Sequence, residues 1–379
     1  MALTLDSDAA LLRETALDFF RERAPVSALR KLRDDRDPVG FSTALWREMA
    51  ALGWAGFLVA EEHGGSDFGA VGLGQVLEAA GRNLTATPLI STALIGASAL
   101  SLAGSAAQKQ AHLPALAAGE RIAALALEEG PHHAPYRVAT AARRSGKGWR
   151  LDGEKRFVLD GHVADLLIVV ARTAGRSDDA KGVTLFLVPG DAPGVARTRT
   201  LMVDSRNAAL IRLDGVELGD DAVLGTVDGG GEILDRVLDR ARAGLAAEML
   251  GGASEAFERT VQYLKDRKQF GVPIGSFQAL KHRAAQMFCE IELARSAVIA
   301  ALAALDAGDP GARRLASLAK AKAGDAFFLV GNEGVQMHGG IGMTDEHEIG
   351  FFLKRARVAQ ASFGDAAFQR SRYADLGGY

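Results

Sequence analysis

One cysteine, Cys289, stands in 379 residues. That excludes an internal disulfide and a cysteine-based metal cluster, and it fits a reducing compartment. No apolar run approaches the ~18 residues of a membrane span. A basic excess is also missing: 44 Lys and Arg face 47 Asp and Glu, for a formal charge of −3, with no dense basic run. Nucleic acid and charged membrane surfaces therefore have no electrostatic support as partners. The opening residues, MALTLDSDAALLRETALDFF, lack a basic stretch before an apolar block, so no targeting leader is expected. They read as a helix capped by Asp or Ser, and the cytoplasm is the expected location. No repeat recurs at solenoid spacing. His132, His133 and His338 have no acidic or histidine companions at ligand spacing, so no metal is expected.

What is present is a globular composition, 48% hydrophobic and 24% charged, in a chain long enough for two or three packed units. Residues up to about 118 read as helical, with apolar marks at Leu12, Ala16 and Phe19, at Leu45, Trp46 and Met49, and at Val76, Leu77 and Ala80. From about Arg121 the texture changes to short β-branched runs such as DLLIVVART and GVTLFLVPG, punctuated by Gly and Asp turns. TAGRSDDAKG (173–182) reads as an exposed hairpin loop. Helical spacing returns over 232–267, 276–307 and 311–338, and a final helical pair flanks a break at Phe363-Gly364. The expected fold is α+β and multidomain: an N-terminal helical domain (1–118), a central β-barrel or sandwich (119–228) and a C-terminal four-helix-bundle-like domain (229–379).

The stretch from Gly229 to Phe277 holds the longest helical pattern. Leu234, Val237, Leu238, Ala241, Leu245, Met249 and Gly252 make an apolar stripe. Glu248 interrupts it. It follows Ala241 by seven residues, so ~700° of rotation returns it to nearly the same face, ~10 Å further along. A carboxylate on a buried stripe is either paired or at work.

Arg267-Lys268-Gln269-Phe270-Gly271, followed by Gln278, ends that helix in a dense polar group, and Gln336-Met337-His338-Gly339-Gly340 ends a later one in a Gly-rich turn. In this order, with the EEHGGSDFG turn and the RLDGVELGDDAVLG run, they resemble the acyl-CoA dehydrogenase family over essentially the whole chain. The resemblance implies FAD bound between the subunits of an oligomer and α,β-desaturation of an acyl-CoA thioester. A carboxylate takes the α-proton, the flavin takes the β-hydride, and electrons leave to an electron-transfer flavoprotein. It also implies roles for residues. Arg267 and Phe270 match contacts to the FAD pyrophosphate and adenine, and Gln278 matches a contact to a neighbouring subunit's FAD. Gln336, Gly339 and Gly340 match the turn that receives the adenine end of a partner's cofactor. Asp239 matches a contact to the CoA arm, and Arg242 an arginine near the active site.

The chain departs from the family pattern where the chemistry lies. The family's Thr-Glu-Pro-Gly-x-Gly-Ser-Asp turn corresponds to Glu128-Glu129-Gly130-Pro131-His132-His133, without the flavin-facing hydroxyl or the one that helps hold the CoA arm. Its Trp-Ile-Thr-Asn-Gly strand corresponds to Phe157-Val158-Leu159-Asp160-Gly161, which keeps the aromatic as a cofactor contact and loses the Thr hydroxyl. The usual base, Glu in a Tyr-Glu-Gly-Thr turn, aligns with Phe363, and the minority position on the long helix holds Ala241. Three accounts remain open. In one, Glu248 is the catalytic base of an enzyme for a bulky or atypical acyl group. Against it stand Glu248 paired to Arg242 or Arg355, and Asp365 as an alternative base or a helix cap. In another, the chain completes a shared FAD site in an α2β2 heteromer whose other subunit carries the base. In the third, the fold serves as a non-redox scaffold.

Overall fold

The computed structural model describes residues 5–379. Helices α1 (Ser7–Arg23), α2 (Val26–Asp34), α3 (Thr43–Ala51), α4 (Gly69–Arg82), α5 (Ala97–Ala103) and α6 (Ala106–Ala117) come first. Strands β1 (Ala123–Ala126), β2 (Ala141–Ser145), β3 (Gly148–Leu159), β4 (Leu166–Arg172), β5 (Val183–Pro189), β6 (Val195–Leu201), β7 (Asn207–Gly219) and β8 (Val223–Leu224) follow. The chain then returns to helix in α7 (Gly230–Asp266). A two-stranded hairpin, β9 (Lys268–Gln269) and β10 (Val272–Pro273), leads to α8 (Gln278–Asp306), α9 (Ala312–His338), α10 (Ile349–Ala361) and α11 (Ala366–Gly377). Local chemistry sets several starts. Asp6 caps α1, Ser42 caps α3, Ser105 and Gln108 form a reciprocal capping box on α6, and Asp365 caps α11.

Two compact units result, one of residues 36–69 and 86–241, the other of the residues up to Asp35 with 70–85 and 242–379. Helices α3, α5 and α6 belong to the first unit, and α1, α2 and nearly all of α4 to the second.

In the first unit the strands order as β6-β7-β3-β2-β4-β5-β8, and β1 adds in parallel to β4. The hydrogen-bonded path is open, with β6 and β8 at its ends, rather than a closed barrel. β4 and β5 are buried nearly end to end and pair antiparallel through the exposed 173–182 loop. They match the near-continuous apolar runs that marked them. A π-helical segment, Leu89–Gly96, lies on β1, where Thr92 Oγ1 accepts from the Ala123 N–H and donates to the Ala123 carbonyl. A Cβ at Gly96 would stand 2.6 Å from that of Ala123, so the approach needs glycine.

The second unit is a helical bundle built along α7. Gly81 and Gly251 let α4 and α7 cross almost backbone to backbone: a Cβ at Gly81 would lie 2.0 Å from the Glu248 carbonyl oxygen, and one at Gly251 1.8 Å from that of Glu78. Glu78, buried on α4, accepts from Arg295 of α8 at 2.8 Å and from Arg13 of α1 at 3.3 Å. The crossing fixes the turn of α7 that bears Glu248. At 37 residues, α7 spans ~55 Å; its stripe residues Leu234, Val237, Leu238 and Ala241 fall in the first unit and Leu245 and Met249 in this one, and all are buried. No helix among the described residues is long and apolar enough to cross a membrane.

Candidate active site

The bundle unit collects four buried charged side chains around one turn. Glu248 on α7 accepts from Arg355 on α10 with both oxygens, Nε to Oε1 at 2.8 Å and Nη2 to Oε2 at 3.0 Å. Glu248 is 4% exposed and Arg355 7%. This is the planar, two-bond match of guanidinium to carboxylate. Of the two arginines that the sequence offered Glu248, the structure gives this fork to Arg355. Arg242, six residues before Glu248 on α7, is fully buried and donates from Nε to the Phe363 carbonyl at 3.2 Å.

Phe363 stands at φ 57°, in the left-handed region, and Gly364 follows at φ 99°. A bulky residue there carries a steric cost of roughly 1–2 kcal/mol, so surrounding contacts must hold it. Gln369 Nε2 donates to the Phe363 carbonyl at 2.7 Å and to that of Gly364 at 3.3 Å. Lys320, fully buried on α9, donates to the carbonyls of Gln360 (3.0 Å) and Gly364 (3.1 Å). Burial pushes the Lys320 ammonium down to about 7, with the Arg242 and Arg355 charges adding to the fall and Asp365 and Asp325 opposing it. Asp365 is committed to the α11 cap, accepting from the Phe368 N–H at 2.9 Å. The sequence reading missed Lys320 and Gln369. Lys320 sits in SLAKAKAGD, which reads as a solvated helix face, and only the turn folded over it makes it interior.

The second group of matched residues is exposed. Arg267, Phe270 and Gln278 flank the β9–β10 hairpin, and Phe270 is 92% exposed with its ring edge against Phe277. Arg267 has no carboxylate partner among the described residues. Gln336, Gly339 and Gly340 end α9 on the surface, and a Cβ at Gly339 or Gly340 would meet nothing within 4 Å. Behind that turn the ring of His338 lies tilted against those of Tyr263 and His347, with centroids 4.3 and 4.4 Å apart, and Tyr263 donates its hydroxyl to the His338 carbonyl. A free guanidinium, primary amides and an open glycine turn are groups whose N–H donors suit a diphosphate, and a bare aromatic ring is one that suits an adenine. FAD is such a group, and its part would be to accept the hydride.

In the strand unit, Phe157 lies at the β-bulge between Lys155 and Val158, at φ 52° and 44% exposed. Beside it the Arg156 N–H bonds the Glu128 carbonyl, and the Glu128 carboxylate meets His133 Nδ1 at 2.5 Å. Lys155 is fully buried and bonds Glu129 at 2.7 Å. Burial pushes Lys155 down to about 8 against the pull of Glu129. Burial also pushes the Glu129 carboxyl up, but the Lys155 charge and hydrogen bonds from Lys155, Thr140 and the Ala139 N–H together outweigh this and hold it below its usual range. Asp239 is buried on α7 at 2% exposure. No group of three or more acidic, histidine or cysteine side chains poised for a metal occurs among the described residues.

Comparison with known proteins agrees along the whole chain. Family models of the acyl-CoA dehydrogenase N-terminal, middle and C-terminal domains match residues 6–120, 128–216 and 228–376. The acyl-CoA dehydrogenase FadE12 of Mycobacterium tuberculosis is 34% identical over 329 residues, 84% of each chain. Among solved structures, a variant of the Tcur3481-Tcur3483 steroid ACAD is 33% identical with a TM-score of 0.88, covering 99% of both chains. The ChsE4-ChsE5 complex of Mycobacterium tuberculosis is 26% identical with a TM-score of 0.89, covering 100% of this chain and 99% of that one. The chain belongs to the acyl-CoA dehydrogenase family, the FAD-dependent oxidoreductases that desaturate acyl-CoA thioesters.

Proposed function

We propose that this chain works as one subunit of an acyl-CoA dehydrogenase heteromer, and that the carboxylate which removes the α-proton comes from the other kind of subunit. The observation that carries this is the Glu248–Arg355 fork. Both Glu248 oxygens accept from Arg355 and the side chain is buried, which supports a carboxylate spent on an interior ion pair rather than on a substrate proton. The other positions have nothing to offer: Phe363 and Ala241 carry no carboxylate, and Asp365 caps a helix. The relative described as the ChsE4-ChsE5 complex joins two differently named components, which supports a paired assembly here.

In this reading Arg267, Phe270, Gln278, Gln336, Gly339 and Gly340 bind and orient FAD shared across subunits, with Phe157 as a further contact, and Asp239 and Arg242 line the CoA and acyl side. An α-proton beside a thioester is only weakly acidic, so the site must place a base in contact and stabilise the developing enolate charge. The steroid relative favours a bulky acyl group, and an electron-transfer flavoprotein suits as the acceptor.

The test is to purify the chain alone and together with the product of a neighbouring gene, then record flavin absorbance and dye reduction with short, branched and steroid CoA thioesters. Activity confined to the pair supports the proposal. A yellow, active chain by itself, silenced by Glu248→Gln, restores the second reading, in which Glu248 swings free of Arg355 and serves as the base.

A further inference from the structure

Lys320 has two acceptors among the described residues, the Gln360 and Gly364 carbonyls. A neutral amine has two N–H groups and satisfies both, whereas an ammonium has three and leaves one without an acceptor. At the same turn Gln369, fully buried, spends its Nε2 on the Phe363 and Gly364 carbonyls while its Oε1 has no partner. A surplus donor on protonation and an orphaned buried acceptor thus meet on one carbonyl, that of Gly364.

We infer that Lys320 is a positioning residue for the Phe363–Gly364 turn, and that Lys320 and Gln369 together make the hold on that turn depend on protonation. The neutral amine leaves Gln369 clamped on Phe363. The ammonium draws Gln369 Oε1 toward its third proton, which turns the amide and takes Nε2 off the Phe363 carbonyl. Arg242 is then the remaining side-chain donor to Phe363 that the structure shows, and the residue is freer to leave φ 57°.

The charged groups around Lys320 set where this happens. Arg242 on α7 and Arg355 on α10 oppose its charge; Asp365 at the start of α11 and Asp325 on α9 favour it, Asp325 being itself bonded by Arg370 of α11, and Glu248 offsets Arg355. The lowered proton affinity of the amine is what this balance with burial produces. The switch falls near neutrality, where an exposed lysine would be silent. Its bearing on catalysis rests on the turn being the acyl-facing one; the hold itself does not.

The experiment is amide hydrogen exchange by mass spectrometry from pH 5.5 to 9, corrected for intrinsic rate, on peptides covering residues 358–370, with α8 peptides as control. It needs no turnover, so it reads the switch whether or not the heteromer proposal holds. Wild-type protection in 358–370 is expected to rise at least fivefold between pH 6 and 8.5, with α8 unchanged. Lys320→Met should lose the step, and Lys320→Arg, always charged, should keep the low-pH level throughout. Absence of a step in the wild type overturns the inference, whatever the variants do. So does an equal step in Lys320→Met or in the α8 control.

Discussion

Glu248 on α7 and Arg355 on α10 are joined by two hydrogen bonds, 2.8 and 3.0 Å, between side chains that are both buried. Each ion is tolerable in the interior because the other is there. Removing one partner strands the other, at a cost of about 3–5 kcal/mol, whereas replacing both with apolar groups of similar volume is often neutral or stabilising. Glu248→Met and Arg355→Met are each expected to lower unfolding free energy by that order. Glu248→Met combined with Arg355→Met should recover most of the loss. Urea unfolding of the four proteins gives the coupling directly, and additive losses would show that the pair is not a unit.

Gly251 has no room for a methyl group, because the Glu78 carbonyl oxygen would stand 1.8 Å from it. Gly251→Ala must push α4 off α7, and a loss of about 1–3 kcal/mol or more is expected. Gly350 on α10 is the matched control. A Cβ there meets nothing within 4 Å, so Gly350→Ala should be neutral or gain up to about 1 kcal/mol from helix propensity. Thermal melts of the two variants should move in clearly different ways.

Arg267 is exposed and meets no carboxylate among the described residues, so folding gains little from its charge. A charge-assisted bond to a diphosphate contributes about 1.5–3 kcal/mol. Arg267→Met should therefore weaken FAD retention by roughly 10- to 150-fold and leave the melting temperature of the flavin-free protein within a degree or two. The ratio of flavin to protein absorbance after gel filtration reads the first, and a melt of the stripped protein the second.

His338 and His347 lie with ring centroids 4.4 Å apart. Burial lowers both proton affinities. At His338 the Gly334 carbonyl bond opposes the fall and His347 adds to it; at His347 Arg259 adds and Glu348 opposes. Their folded pKa values lie below the unfolded value of 6.5, so the unfolded chain binds more protons in the window just below it. Stability contributed by the neutral pair is present above pH 6.5 and is lost as pH falls through the folded values. Unfolding free energy should drop on acidification from pH 7 to 5, and less in His347→Phe, which keeps a ring against His338 without the second charge.

Helix periodicity located α7 through α9 to within a few residues, and it located Glu248 as the one acidic violation of an apolar stripe, because both depend only on near neighbours in sequence. The identity of its partner did not follow. Arg355 is 107 residues away, and periodicity relates only residues within one helix. Lys320 was hidden for the opposite reason: an alternating Lys-Ala run gives no sign that a turn 40 residues on will close over one of its amines. The close crossing of α4 with α7 at Gly81 and Gly251 was equally out of reach, since it leaves no periodic trace. The residues proposed to hold FAD come from a sequence resemblance that carries them one by one, and their exposure leaves them open to a ligand.

The most direct test of where the base lies is exchange of the substrate's α-hydrogen with deuterated water, followed by mass spectrometry of the acyl-CoA, in the assembled pair carrying Glu248→Met with Arg355→Met in this chain. The account predicts exchange within about twofold of the wild-type pair. Loss of exchange in a variant pair that still assembles and binds FAD would place the base on Glu248 and contradict it.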